Sequence, residues 1–206
     1  MKNHEKLREM LLLTFFIIVQ IILTISPFGF IYLGGISITI VHIPVIVGAC
    51  LFGPKKGALL GFVFGFMSLL KASFTPDISA FMFSPFVSIA GRQGNWSSLL
   101  VCFLPRILLG ISAGYLYRFP FLHKTIVAIL TGLFASLLHS ILVLGLIYLF
   151  FAPAYAALLQ IDSRAVIQAL CAVLSINGLA EAALAALMTP LLLSSLQILY
   201  QKKRDH

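Results

Sequence analysis

Apolar residues run in long blocks along the chain, separated by short polar or glycine- and proline-rich stretches. The polar start, residues 1–9, gives way to an apolar run at 11–25. Ser26-Pro27-Phe28 follows it with no small-residue cleavage pattern, so the run reads as a retained first helix and not as a signal peptide. Pro27, Gly29, Gly34 and Gly35 mark a loop. A second apolar segment covers 39–52, short for a spanning helix and with Pro44 near its start. Gly53-Pro54-Lys55-Lys56 makes a tight basic turn before a third helix at 57–70. Residues 73–96 form a long connection holding Pro76, Asp77, Pro85, Gly91 and Gly94. Its middle, 78–89, is too short to span and too apolar to stand in water, which suits an interfacial or partly re-entrant segment. Helices at 97–117, 125–151 and 165–200 follow, divided by a basic turn at 118–124 and a loop at 152–164. The pattern predicts an all-α integral membrane protein: a six-transmembrane-helix bundle with a partly folded third connection, one membrane domain over residues 1–206.

Composition strengthens this reading. Apolar types make up 61% of the residues and charged types 10%, and the mean hydropathy is +1.09. Soluble domains carry about 45–50% and about 25% respectively. A soluble globule, a disordered tail, a collagen and a disulfide scaffold are excluded. A span takes about 20 apolar residues, so the 206 residues hold a membrane unit with no sizeable aqueous domain.

The net charge of +8 is placed by topology and calls for no nucleic-acid partner; the environment is the lipid bilayer. With six spans, Lys2, Lys6, Arg8, Lys55, Lys56, Arg118, Lys124, Lys202, Lys203 and Arg204 share one side, against Lys71, Arg92 and Arg164 on the other. The positive-inside rule makes both termini cytoplasmic in a multi-pass plasma-membrane protein. The less basic loops at 27–38, 72–96 and 152–164 then face outside. Cys50, Cys102 and Cys171 lie apart in apolar runs, show no disulfide or metal spacing, and read as packing residues.

Chemistry concentrates at a few intramembrane polar residues. Arg106 sits within Leu104-Pro105-Arg106-Ile107-Leu108, and a central arginine costs about 2.5–3.5 kcal/mol on insertion scales. Two readings stay open. One is structural, with Arg106 paired to Glu181, the lone intramembrane acid, or bonded to backbone carbonyls. The other is functional, an anchor gripping a carboxylate with two parallel hydrogen bonds. Counted from the outer helix ends at about 1.5 Å per residue, Arg106, His139 and Asn177 lie at about the same depth, roughly 13–18 Å. Three polar groups on three helices can line one outward-facing pocket, although His139 and Asn177 each also fit a helix–helix contact. Glu181, one turn deeper than Asn177, reads as structural.

Small residues form a second pattern. Gly57, Gly61 and Gly65 repeat every fourth position, as do Gly110 with Gly114, and Gly178 with Ala182 and Ala186. Such spacing lets helices approach closely in lipid; internal packing suits the third and fourth helices, and the sixth also has room for a partner helix. A phosphate-binding G-x-x-x-x-G-K-[ST], H-E-x-x-H and G-x-S-x-G are missing, and Asp77 and Asp162 have no second acid beside them in the membrane. No enzyme chemistry, cofactor or metal is expected.

The stretch His42-Ile43-Pro44-Val45-Ile46-Val47-Gly48-Ala49-Cys50-Leu51-Phe52-Gly53-Pro54-Lys55-Lys56-Gly57, continued by Gly61, Gly65, Phe66 and Ser68, resembles the second-helix signature of the S components of energy-coupling-factor transporters. The whole layout is similar to theirs. Phe83-Ser84-Pro85-Phe86 and Leu104-Pro105-Arg106-Ile107-Leu108 are most similar to the pantothenate-type members. The resemblance implies a subunit that captures a small anionic vitamin, most readily pantothenate, from outside. Its partners would be a transmembrane coupling protein and two ATPases. Many relatives carry an Ala-x-x-x-Ala docking patch on the first helix; here 11–20 contains no alanine, which moves the expected docking surface to Gly178, Ala182 and Ala186. The alternatives are another small carboxylate vitamin, an intramembrane enzyme, or an assembly subunit. For pantothenate, Arg106 supplies the cation, and His139 and Asn177 supply neutral polar groups. Ser84 and Phe86 add a hydroxyl and a wall for the methyls, Gly34 and Gly35 let the first outer loop close over the ligand, and Trp96 stands at the rim.

Overall fold

The computed structural model of the chain describes residues 2–26, 29–33, 36–89, 91–120 and 122–202. Helix α1 (Lys2–Ile25) leads to an antiparallel hairpin, β1 (Phe30–Leu33) with β2 (Ile36–Thr39), and then to α2 (His42–Phe52) and α3 (Pro54–Phe74). The third connection holds a 3-10 turn (Ala80–Met82) and two short paired strands, β3 (Ser88–Ile89) and β4 (Arg92–Gln93). Next come α4 (Trp96–Leu116) and α5 (Lys124–Leu159). The last helical stretch opens with a 3-10 turn (Ser163–Ala165) and continues as α6 (Val166–Val173), a π turn (Leu174–Gly178) and α7 (Leu179–Lys202). Among the described residues five helical stretches are long and apolar enough to cross a membrane; α2, with 11 residues, is shorter. At 1.5 Å per residue α2 is about 16 Å long, roughly half a bilayer core, and residues 42–50 are buried throughout. It is an internal post.

Three boundaries differ from expectation. The first outer loop is a hairpin, with Phe30 opposite Thr39 and Leu33 opposite Ile36. Phe30-Ile31-Tyr32-Leu33 and Ile36-Ser37-Ile38-Thr39 are rich in β-formers, and strand pairing satisfies their backbone groups. Helix α5 runs through Pro153 to Leu159, which leaves only 160–162 as coil before the next turn. Ile147, Phe151 and Ala156 pack with Phe81, Met82, Val166 and Leu170 in one apolar cluster, and that packing outweighs the single hydrogen bond lost at the proline. Helix α3 begins at Pro54, a residue favoured at the first helical position because its missing N–H has no partner there in any case.

Close packing between α3 and α4 uses the glycine ladder. A methyl group added at Gly57 would strike the Gly110 carbonyl and one at Gly61 the Arg106 carbonyl, while one at Gly114 would meet Pro54. Cys102 Sγ donates to the Gly65 carbonyl at 3.2 Å. The repeated small residues of these two helices are therefore spent inside the bundle, where backbone approach gives contact in lipid. On α5, Gly132 faces the Ala185 carbonyl of α7 in the same way. At the end of the bundle away from the hairpin, Lys56 pairs with Glu9, joining α3 to α1. The two apolar clusters divide the molecule. One surrounds α2, and the other roofs the hairpin end, where the third connection folds onto α4, α5 and α6.

Candidate functional site

A cavity of about 340 Å³ lies under that roof. It is walled by α3, the third connection, α4, α5, the π turn and the first turn of α7. Such a volume falls at the small-ligand end of the 300–1,000 Å³ typical of binding pockets. Its polar lining includes Arg106, His139, Asn177, Glu181, Lys71 and Ser140; Phe64, Phe83, Met82 and Ile147 supply apolar wall.

The position of Arg106 follows from its neighbour. Pro105 has no N–H, so the Val101 carbonyl one turn back loses its helical donor. Arg106 Nη1 takes over, donating to Val101 O at 3.1 Å and to Cys102 O at 2.8 Å. The guanidinium carbon lies 5.1 Å from the Phe64 ring centre and 5.4 Å from that of Phe83, within cation–π range. Nη1 is thus occupied by two carbonyls, and both rings lie close to the guanidinium carbon. Nε is buried without a hydrogen-bond partner among the described residues. Arginine carries five N–H donors, so most of the fork is left for something in the cavity.

Further lining comes from α5, the π turn and α7. His139 is 8% exposed; its ring lies 6.0 Å from that of Phe64, and Nε2 has no hydrogen-bond partner among the described residues. Glu181 accepts the Thr39 backbone N–H at 2.7 Å on Oε1 and the Ser140 hydroxyl at 3.4 Å on Oε2. Deeper in, Ser136 Oγ and His42 Nε2 lie 3.4 Å apart. The π turn carries Asn177 and Gly178 to the cavity; such widened turns occur frequently at functional sites. Among the described residues no group of three His, Cys, Asp or Glu is placed to hold a metal ion.

The arrangement is a buried cation, hydrogen-bonding groups unpaired among the described residues, and an apolar wall within a membrane bundle. Residues 8–193 match the family described as "ECF transporter, substrate-specific component". The chain belongs to this family. It is 30% identical over 178 residues, 86% of its length and 83% of the relative's, to the pantothenic acid transporter PanT of Lactococcus lactis subsp. cremoris (strain MG1363). It is 28% identical over 123 residues to the pantothenate transporter PanT of Leuconostoc mesenteroides subsp. mesenteroides, a match covering 56% of this chain and 53% of that protein. This S component is therefore a multi-pass membrane transport subunit, one that recognises a substrate and works with other components of its transporter.

Of the site residues expected from sequence, the fold brings Arg106, His139 and Asn177 to one cavity. It does not bring Ser84, Phe86 or Trp96. Ser84 is buried outside the lining, its hydroxyl 2.8 Å from that of Ser73 and accepting from the Phe86 N–H. Phe86 and Trp96 are 77% and 79% exposed, and Trp96 opens α4 at the bundle's end, in keeping with an interfacial belt. Gly34 and Gly35 lie outside the described residues. The expected docking stripe is turned inward: Ala182 is fully buried, Gly178 packs near Ser140 and Leu174, and only Ala186 is part-exposed. Tight helix contact with α5 explains this, since small residues are where α7 can come close. Cys171 is exposed, whereas Cys50 and Cys102 are buried. Sequence reasoning missed the aromatic pair Phe64 and Phe83 and the placement of Lys71 and Ser140. It left Glu181 structural although an intramembrane acid is by default a functional signal.

Proposed function

We propose that this S component captures pantothenate from outside the cell and delivers it through a transmembrane coupling protein and two ATPases, with no catalysis of its own. The observation that carries the reading is Arg106. Its guanidinium is buried, lies within cation–π range of two aromatic rings, is bonded at Nη1 to two carbonyls, and still has donors to offer in a small cavity. Pantothenate has a carboxylate for that cation, an amide for His139 and Asn177, two hydroxyls for the remaining polar lining, and a pair of methyls for the apolar wall. The names of the two relatives support the same choice. The basic residues gathered at the Lys55-Lys56 turn, the 118–124 turn and the termini support cytoplasmic ends, so the hairpin and cavity open outward.

Calorimetry or native mass spectrometry of the purified chain against a vitamin panel tests the reading. Saturable 1:1 binding of pantothenate, in preference to other carboxylate vitamins, supports it. Preference for a different carboxylate vitamin, or no binding at all, overturns it.

A further inference from the structure

Glu181, on α7, lines the same cavity as Arg106 on α4, is 9% exposed, and forms no ion pair among the described residues. Its two oxygens present about four acceptor positions. One takes the Thr39 N–H at 2.7 Å; the Ser140 hydroxyl, at 3.4 Å, is a long contact on the other oxygen. A carboxylate facing a cavity with acceptor capacity to spare calls for hydrogen-bond donors. Any ligand group of negative charge would be repelled there, and an apolar group would leave the acceptors empty, which is costly in a buried site.

We infer that Glu181 is the specificity-determining acceptor for the donor end of the ligand: it takes hydrogen bonds from the two hydroxyls while Arg106, on α4, holds the carboxylate. This rests on the pantothenate reading and deepens it. The cavity is bipolar, and so is the ligand it selects: one carboxylate, separated from a group of hydroxyl donors. A dicarboxylate of the same length is refused at Glu181, and a monocarboxylate lacking hydroxyls is bound weakly. The Glu181 carboxylate also carries the backbone of β2 through Thr39, so ligand and hairpin share one acceptor group.

Three ligands test the inference: pantothenate, its analogue lacking both hydroxyls, and pantothenyl alcohol, which keeps the hydroxyls and lacks the carboxylate. Hydrogen bonds to a charged group imply that the parent protein prefers pantothenate over the dehydroxy analogue by about 10- to 150-fold. Glu181→Gln should bring those two ligands close to parity while keeping the preference for pantothenate over the alcohol, which Arg106 sets. A Gln variant with the parent's preference for hydroxyls overturns the inference and leaves the pantothenate reading standing. A parent protein that binds none of the three overturns both. Infrared difference spectra of the parent protein labelled with carbon-13 glutamate add a measurement that needs no folded variant. The labelled carboxylate band should shift on adding pantothenate and stay still with the dehydroxy analogue; no shift with pantothenate overturns the inference.

Discussion

Arg106 does two jobs that can be separated, because the proline beside it creates one of them. Arg106→Ala removes the donor that replaces the missing Pro105 N–H, leaving the Val101 carbonyl unpaired in the α4 interior. A buried unsatisfied acceptor costs about 1–3 kcal/mol, so the apparent melting temperature of the detergent-purified protein should fall. The same change removes the charge-assisted bonds to the ligand, worth about 1.5–3 kcal/mol, or about 10- to 150-fold in Kd. Adding Pro105→Ala restores a main-chain N–H for Val101. The double variant should regain much of the stability and none of the affinity. Arg106→Lys should keep a cation over Phe64 and Phe83 but lose the two-pronged geometry, and so recover only part of the binding. The assays are thermal unfolding and calorimetry with pantothenate on the four proteins. If Pro105→Ala in the Arg106→Ala background restores affinity along with stability, Arg106 is a backbone repair and the carboxylate anchor is refuted.

Other expectations follow from packing, topology and partnership. Gly57→Ala drives a methyl group into the Gly110 carbonyl and the Ala49 side chain, so it should destabilise by about 1–3 kcal/mol or more. Gly145→Ala meets nothing within 4 Å and should be neutral or stabilising by up to about 1 kcal/mol; equal effects of the two in thermal unfolding would contradict the α3–α4 interface. In a Cys171→Ser background, where the remaining Cys50 and Cys102 are buried, Lys55→Cys should react with an impermeant maleimide only after the cells are opened; labelling of intact cells would reverse the topology. Expressed without coupling proteins in a pantothenate auxotroph, the chain should not support uptake at limiting vitamin, and robust growth would show that it transports alone.

Much of the bundle was legible because a bilayer allows few solutions: apolar runs must be helices, and lysine placement orders their ends. What the pattern hid lies where tertiary contact decides. Pro153 and the polar residues near it read as a loop, yet Ile147, Phe151 and Ala156 on either side of it join one apolar cluster and α5 runs on to Leu159. The hairpin was signalled by β-forming runs on either side of Gly34-Gly35, but glycines next to Pro27 read as a loop. Depth along a helix put Arg106, His139 and Asn177 at one level, and all three line the cavity. Depth carries no information about which face a residue takes. Ser84 was therefore placed in the site when it instead bonds Ser73, and Ala182 on a docking surface when it is interior. Glu181 stands one helical turn from Asn177, but its partner Thr39 lies 142 residues away in sequence, beyond any local pattern.

The most direct test of pantothenate capture by Arg106 is a ligand-bound structure of the purified chain. The vitamin should lie in the cavity between α3, α4, α5 and the π turn, its carboxylate about 2.7–2.9 Å from two guanidinium nitrogens of Arg106 and its hydroxyl end directed at Glu181. A carboxylate that sits elsewhere, with Arg106 bonded only to Val101 and Cys102, contradicts that claim.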